Sequence, residues 1–137
     1  RLHDGAAMNA RIAGPVVVAA GLIAAGCVDA RLPSVLIADL RSPDSRVRVS
    51  AAHALRNRGA LPPEAVPALI QALQIEHGKV ARKEELLTLA TSGAPQAEPL
   101  ICKAVWDEDV DMRGWGKQAL TIWLPMNPRS KGCPPSR

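Results

Sequence analysis

Apolar positions along this chain recur at helical spacing in six short stretches, and the stretches themselves recur. Leu32, Leu36 and Leu40 stand at i, i+4 and i+8, and Val47, Ala51, Ala54 and Leu55 form the next stripe. Val66, Leu69, Ile70 and Leu73 follow, then Val80, Leu86, Leu89 and Ala90. Leu100, Ile101, Ala104 and Val105 make the fifth, and Met112, Trp115, Ala119 and Trp123 the sixth. The breaks between them carry turn chemistry. In Ser42-Pro43-Asp44-Ser45 the proline fixes φ, and Asp or Ser can cap the next helix. Leu61-Pro62-Pro63, His77-Gly78, Ala94-Pro95 and the stretch from Asp107 to Asp111 mark the other boundaries. Gly59 and Gly93 are expected to close the second and fourth helices.

An arginine precedes a leucine by seven residues three times: Arg48 and Leu55, Arg82 and Leu89, Arg113 and Leu120. The arginines are 34 and 31 residues apart. A period of this size predicts stacked helical pairs, because one pair cannot bury its apolar face alone. The expected fold is all-α, a short α-solenoid of about three helix pairs over residues 32–124. With no Phe and no Tyr, the chain lacks the residues that favour strands. Residues 125–137 hold four prolines and no apolar period, which predicts a disordered tail.

The stretch Asp44-Ser-Arg-Val-Arg48-Val-Ser-Ala51-Ala52-His-Ala54-Leu55 resembles the second half of a HEAT-like repeat, of the short variety also found in phycobilin-lyase relatives. Asp109 to Leu120 repeats its Asp, Arg and Leu positions, and the middle copy has Gly78 where Asp is expected. The resemblance implies that Arg48, Arg82 and Arg113 form a structural ladder between turns and neighbouring repeats, with Asp44 and Asp109 as partners. It also implies that the second helices of the pairs line one inner face. His53, Arg56, Lys83, Thr88, Lys117 and Thr121, which lie off the apolar stripes, would then form a protein-binding surface. Three repeats are about the minimum for stability, and no polar capping repeat is visible. An uncovered last layer would seek a partner, a second copy or the apolar N-terminal segment. Trp115 and Trp123 are candidates for that contact or else fill the last layer of core.

The N-terminal region has a separate logic. Arg11 precedes an uncharged run from Ile12 to Gly26, too short to span a membrane comfortably and suited to a secretory signal peptide. Ala24-Ala25-Gly26-Cys27 resembles the lipobox of bacterial lipoproteins, with Ala24 where that family usually has Leu. The resemblance implies a diacylglycerol on the Cys27 thiol, cleavage before it, and a membrane-anchored protein at the cell envelope. Two other readings are an ordinary cleavage near Val28-Asp29-Ala30 and an uncleaved apolar helix, residues 8–26 serving as either leader or helix. Residues 1–7 precede the natural start at Met8 and are expected to be an upstream or non-native segment.

Charge and chemistry narrow the function classes. The net charge is +4, weak attraction for a polyanion, and no Phe or Tyr is available for stacking bases, so no nucleic-acid partner is expected. Cys27, Cys102 and Cys133 match no zinc or redox spacing. Cys102 falls on an apolar helical face and reads as a buried free thiol, although it could pair with Cys133 if Cys27 is modified. Asp107, Asp109 and Asp111 alternate like a calcium loop, but Met112 stands where Gly is needed and Gln118 where a bidentate Glu is needed. No metal and no cofactor are expected. His3, His53 and His77 are scattered, with no nucleophile and base grouped around them, so no enzyme is expected. The expected function is a protein-binding scaffold or assembly module, lipid-anchored through Cys27, with self-association open. The alternatives are an intracellular adaptor, and a lyase-like enzyme or chromophore-attachment factor that would need a ligand-sized polar pocket.

Overall fold

A computed structural model describes residues 29–76 and 78–136. Residues 1–7, the segment 8–26, Cys27 and the His77 half of the expected turn lie outside the described residues. Six α-helices follow in order: α1 (Pro33–Asp39), α2 (Ser45–Asn57), α3 (Ala65–Ile75), α4 (Lys79–Thr91), α5 (Glu98–Val105) and α6 (Val110–Trp123). No strand occurs among the described residues. The all-α solenoid of three helix pairs is therefore the fold.

Each start and stop has a local cause. Pro33 occupies the first turn of α1, where its missing N–H costs nothing. Asp44 caps α2 by accepting from the Arg46 N–H, and Asp109 caps α6 by accepting from the N–H groups of Asp111 and Met112. Gly59, at φ 82°, and Gly93, at φ 65°, end α2 and α4 in the left-handed region. α4 begins at Gly78 without a side-chain cap. There the Glu76 carboxylate bends back and accepts from the Gly78 N–H at 2.6 Å.

The second helices of the pairs, α2, α4 and α6, lie side by side with α4 in the middle, while α1, α3 and α5 pack behind their own partners. The core between the two layers is mainly alanine and leucine, with Leu36, Leu55, Leu69, Leu89 and Ile101 fully buried. Small residues let the layers approach closely. Of the expected stripe residues, two are clear exceptions: Leu32 is 66% exposed just before α1, and Val80 is 62% exposed at the start of α4.

The last layer departs from expectation in two ways, the tail and Cys102, and decides between the two readings of Trp123. The tail is not disordered but lies along α5. Ser130 Oγ donates to Glu98, Cys133 is disulfide-bonded to Cys102, and Trp106 Nε1 donates to the Pro134 carbonyl. Glu98, Cys102 and Trp106, the last just past the end of α5, are spaced one turn apart, which is why a proline-rich chain with no apolar period can still be fixed there. Cys102 is accordingly not a free thiol. Trp123 is 1% exposed, with its Nε1 donating to the Ala94 carbonyl at 2.8 Å, so it fills core and is not a contact surface. The tail lies against α5, and α6 presents Gly114, Lys117, Gln118 and Thr121 outward.

Candidate partner-binding face

Arginine 48, 82 and 113 put the three second helices in a common register, and residues at equal offsets share a row. The ladder itself is structural, but its partners differ from those expected. Arg48 donates to Glu76 through Nε at 2.7 Å and also through Nη2, and to the Ser42 carbonyl through Nη1. Arg82 donates to Asp107 at 2.8 Å. Arg113 donates to the carbonyls of Asp107 and Glu108. Asp44 and Asp109 are instead helix caps, and Asp109 takes its ion pair from Lys79 at 2.6 Å. A carboxylate committed to backbone N–H groups at a helix start is poorly placed to reach an arginine one turn further on. Lys79, and then the backbone N–H of Met112, hold the Asp109 carboxyl below its usual range. Asp107 is lowered by the Asp109 N–H and then by Arg82. The alternating aspartates thus cap and bridge repeats.

On the open side of α2 and α4 the structure gathers several of the expected surface residues around Glu84, which sequence reasoning missed. Arg56 Nη2 lies 2.8 Å from the Glu84 carboxylate and His53 Nδ1 lies 3.6 Å from it. Lys83 approaches the same carboxylate at 3.9 Å and stands 5.4 Å over the Trp115 ring of α6. So His53, Arg56, Lys83 and Trp115 form one polar strip crossing all three helices. Lys117 and Thr121 are exposed on α6 but make no contact to this strip. Thr88 does not belong to the surface at all. It is fully buried, and its hydroxyl donates between the carbonyls of Ala52 and Glu84. A hydroxyl satisfied by helix carbonyls can be buried where sequence reads it as polar surface.

Beside the strip, a groove of about 630 Å³ runs between the starts of α2 and α4. Val49, Val80 and Ala81 give it an apolar floor, and Arg46, His53, Lys79 and Glu84 stand at its edge. Val80 explains itself here, as an apolar side chain left open at the groove. A smaller cavity of about 360 Å³ lies on the other side of the stack, lined by Gln74, Glu76, Arg82, Leu100 and Lys103 among others.

Behind the groove wall is the least expected group in the molecule. Glu85 is fully buried, and neither carboxylate oxygen has a hydrogen-bond donor among the described residues. Arg48 Nε lies 3.8 Å away and is already bonded to Glu76. Burial, and then the neighbouring Glu76 carboxylate, push the Glu85 carboxyl from 4.5 up to about 7, against the pull of Arg48.

The repeat spacing and the two-layer packing agree with a comparison of the whole sequence. The pattern of HEAT repeats matches residues 32–121. The chain belongs to the HEAT-repeat family. HEAT repeats generally mediate protein–protein scaffolding, and the family is typically non-enzymatic. No curated protein and no solved structure matches the chain at a significant level.

Proposed function

We propose that this HEAT-repeat protein is a scaffold that seats a protein partner in the groove between α2 and α4, and that it works from the cell envelope on a lipid carried by Cys27. The observation that carries the partner site is Val80, left 62% exposed over an apolar floor and ringed by groups that can hydrogen-bond a backbone or a side chain. The polar strip from His53 to Trp115 extends the same face and gives the partner a register along the stack. Placement outside the cytosol is supported by the Cys102–Cys133 disulfide, because such bonds persist in oxidising compartments and are rare in the cytosol. That bond also commits two of the three cysteines and leaves Cys27 for modification.

A photo-crosslinking side chain at Val80 is the direct test in the native host. A discrete cross-linked protein from Val80, absent when the probe replaces Arg129 of the tail, supports the groove. Equal products from both positions would overturn it. The anchor is tested separately by mass spectrometry of the mature N-terminus from membranes: an acylated Cys27 supports it, and an unmodified chain beginning upstream of Cys27 refutes it. Two or more acyl chains would hold the protein stably, whereas one chain binds only marginally.

A further inference from the structure

The three residues of the buried charge cluster each stand beside a residue of the groove wall. Arg48 precedes Val49 on α2, and Glu85 follows Glu84 on α4. Glu76 accepts from the N–H of Gly78, which lines the same groove. Neighbouring positions on a helix point in different directions, so in the two helical couples one side chain faces the groove and the other the cluster, while Glu76 reaches the groove wall through the Gly78 backbone. Any change in how α2, α4 and the turn before α4 are held together is therefore felt at the groove.

The cluster has two carboxylates and one guanidinium. Arg48 satisfies Glu76 with two donors, which ties α2 to the turn before α4. A neutral Glu85 leaves that tie intact. An ionised Glu85 has no donor of its own in a site without solvent exposure, and a bare buried carboxylate is strongly disfavoured. Its available remedy is to draw Arg48, 3.8 Å away, off Glu76, or to admit water between the helices. Both loosen the seam. The position makes the cost conspicuous: in the register set by the arginines, Glu85 falls in line with Ala51 and Gly116, small residues that allow close packing in the other two pairs.

We propose that Glu85, Arg48 and Glu76 form a proton-operated latch on the α2–α4 seam, so that the partner groove is held in shape when Glu85 is protonated and loosens when it ionises. This rests on the groove being the partner site only for its biological use; the latch is a property of the chain alone. The charged groups acting on the Glu85 carboxyl are Glu76 from the end of α3 and Arg48 from α2. His53 also stands at the groove, 3.6 Å from Glu84, and His77 follows Glu76 in sequence. Both histidines must be kept constant in any test.

The test is hydrogen exchange of the full chain at pH 5.5 and pH 8, corrected for the intrinsic pH dependence of exchange, with the wild type and Glu85→Gln. Glu85→Gln keeps the shape and both histidines but cannot ionise. Opening of amides in Val47–His53 and Ala81–Leu87 should rise about tenfold or more in the wild type between the two pH values. In Glu85→Gln it should stay constant. Glu85→Ala, which copies the first repeat, gives the same reading if the glutamine variant does not fold. An equal rise in the wild type and the variant, or none in the wild type, would overturn the latch. No partner enters the measurement, so a latch that fails here and a groove that fails to cross-link at Val80 are separate outcomes.

Discussion

The middle and last helix pairs fill the same repeat position in opposite ways. In the last pair the crossing residue is Gly116, and a Cβ there would lie 2.5 Å from backbone atoms of Ala104 and Val105 in α5. The two helices touch backbone to backbone, and the layer is completed by Trp123 and the bound tail. In the middle pair the equivalent position holds Glu85, beside Arg48 of α2, and α4 lacks the aspartate cap that α2 and α6 have. One pair is sealed by shape, while the other is built around a charge that fits poorly in dry surroundings. A repeat array can place stiffness and responsiveness in adjacent units because each contacts only its neighbours.

The sharpest way to break the sealed pair is Trp123→Ala. Removing a fully buried indole and its bond to the Ala94 carbonyl should cost about 3–5 kcal/mol, read by chemical denaturation. The loss should fall on α5 and α6 in hydrogen exchange, with α2 least affected. Gly116→Ala is expected next, at about 3 kcal/mol, because the clash is with backbone that cannot turn aside. Glu85→Ala in the middle pair makes an instructive contrast. A residue larger than its siblings is replaced by theirs, and stability at pH 8 should rise or hold.

The pH dependence of the wild type follows from the same residue. Glu85 titrates near 4.5 when unfolded and at about 7 when folded, so between those values the folded state holds the extra proton. Stability should therefore fall as pH rises from about 4.5 to 7, by at most about 3 kcal/mol, and show no further loss from this group above that range. Thermal melts across the window, with and without Glu85→Gln, isolate this contribution from those of other groups. The smallest effect concerns caps. Asp109→Ala should destabilise α6 by about 1 kcal/mol, read by chemical denaturation.

The architecture was legible because three arginines and three leucines keep their spacing, and because the turns are written in proline, glycine and aspartate. The ladder was legible as structural, yet its partners were not. Glu76 is 28 residues from Arg48, and only folding reveals which acid reaches it. Glu85 was missed because it ends the polar run from Arg82, and Thr88 because a hydroxyl among leucines reads as surface; the sequence does not say which polar residues turn inward. For Glu85 a signal was present, since counting three residues on from each arginine aligns it with Ala51 and Gly116. The tail was misread because its fixation depends on one disulfide and a few bonds along α5, none of which leaves an apolar period. Glu84, which joins His53, Arg56 and Lys83, could have been suspected only from a face-by-face projection of α2 beside α4.

The disulfide between Cys102 and Cys133 also decides how the molecule bears load. A pull on the residues beyond Cys133 enters the chain at Cys102, in the rear row of helices, and passes around α6 without stretching it. Of the second helices α6 alone lies inside that closed loop, while α2 and α4 precede Cys102 and stay in the line of pull.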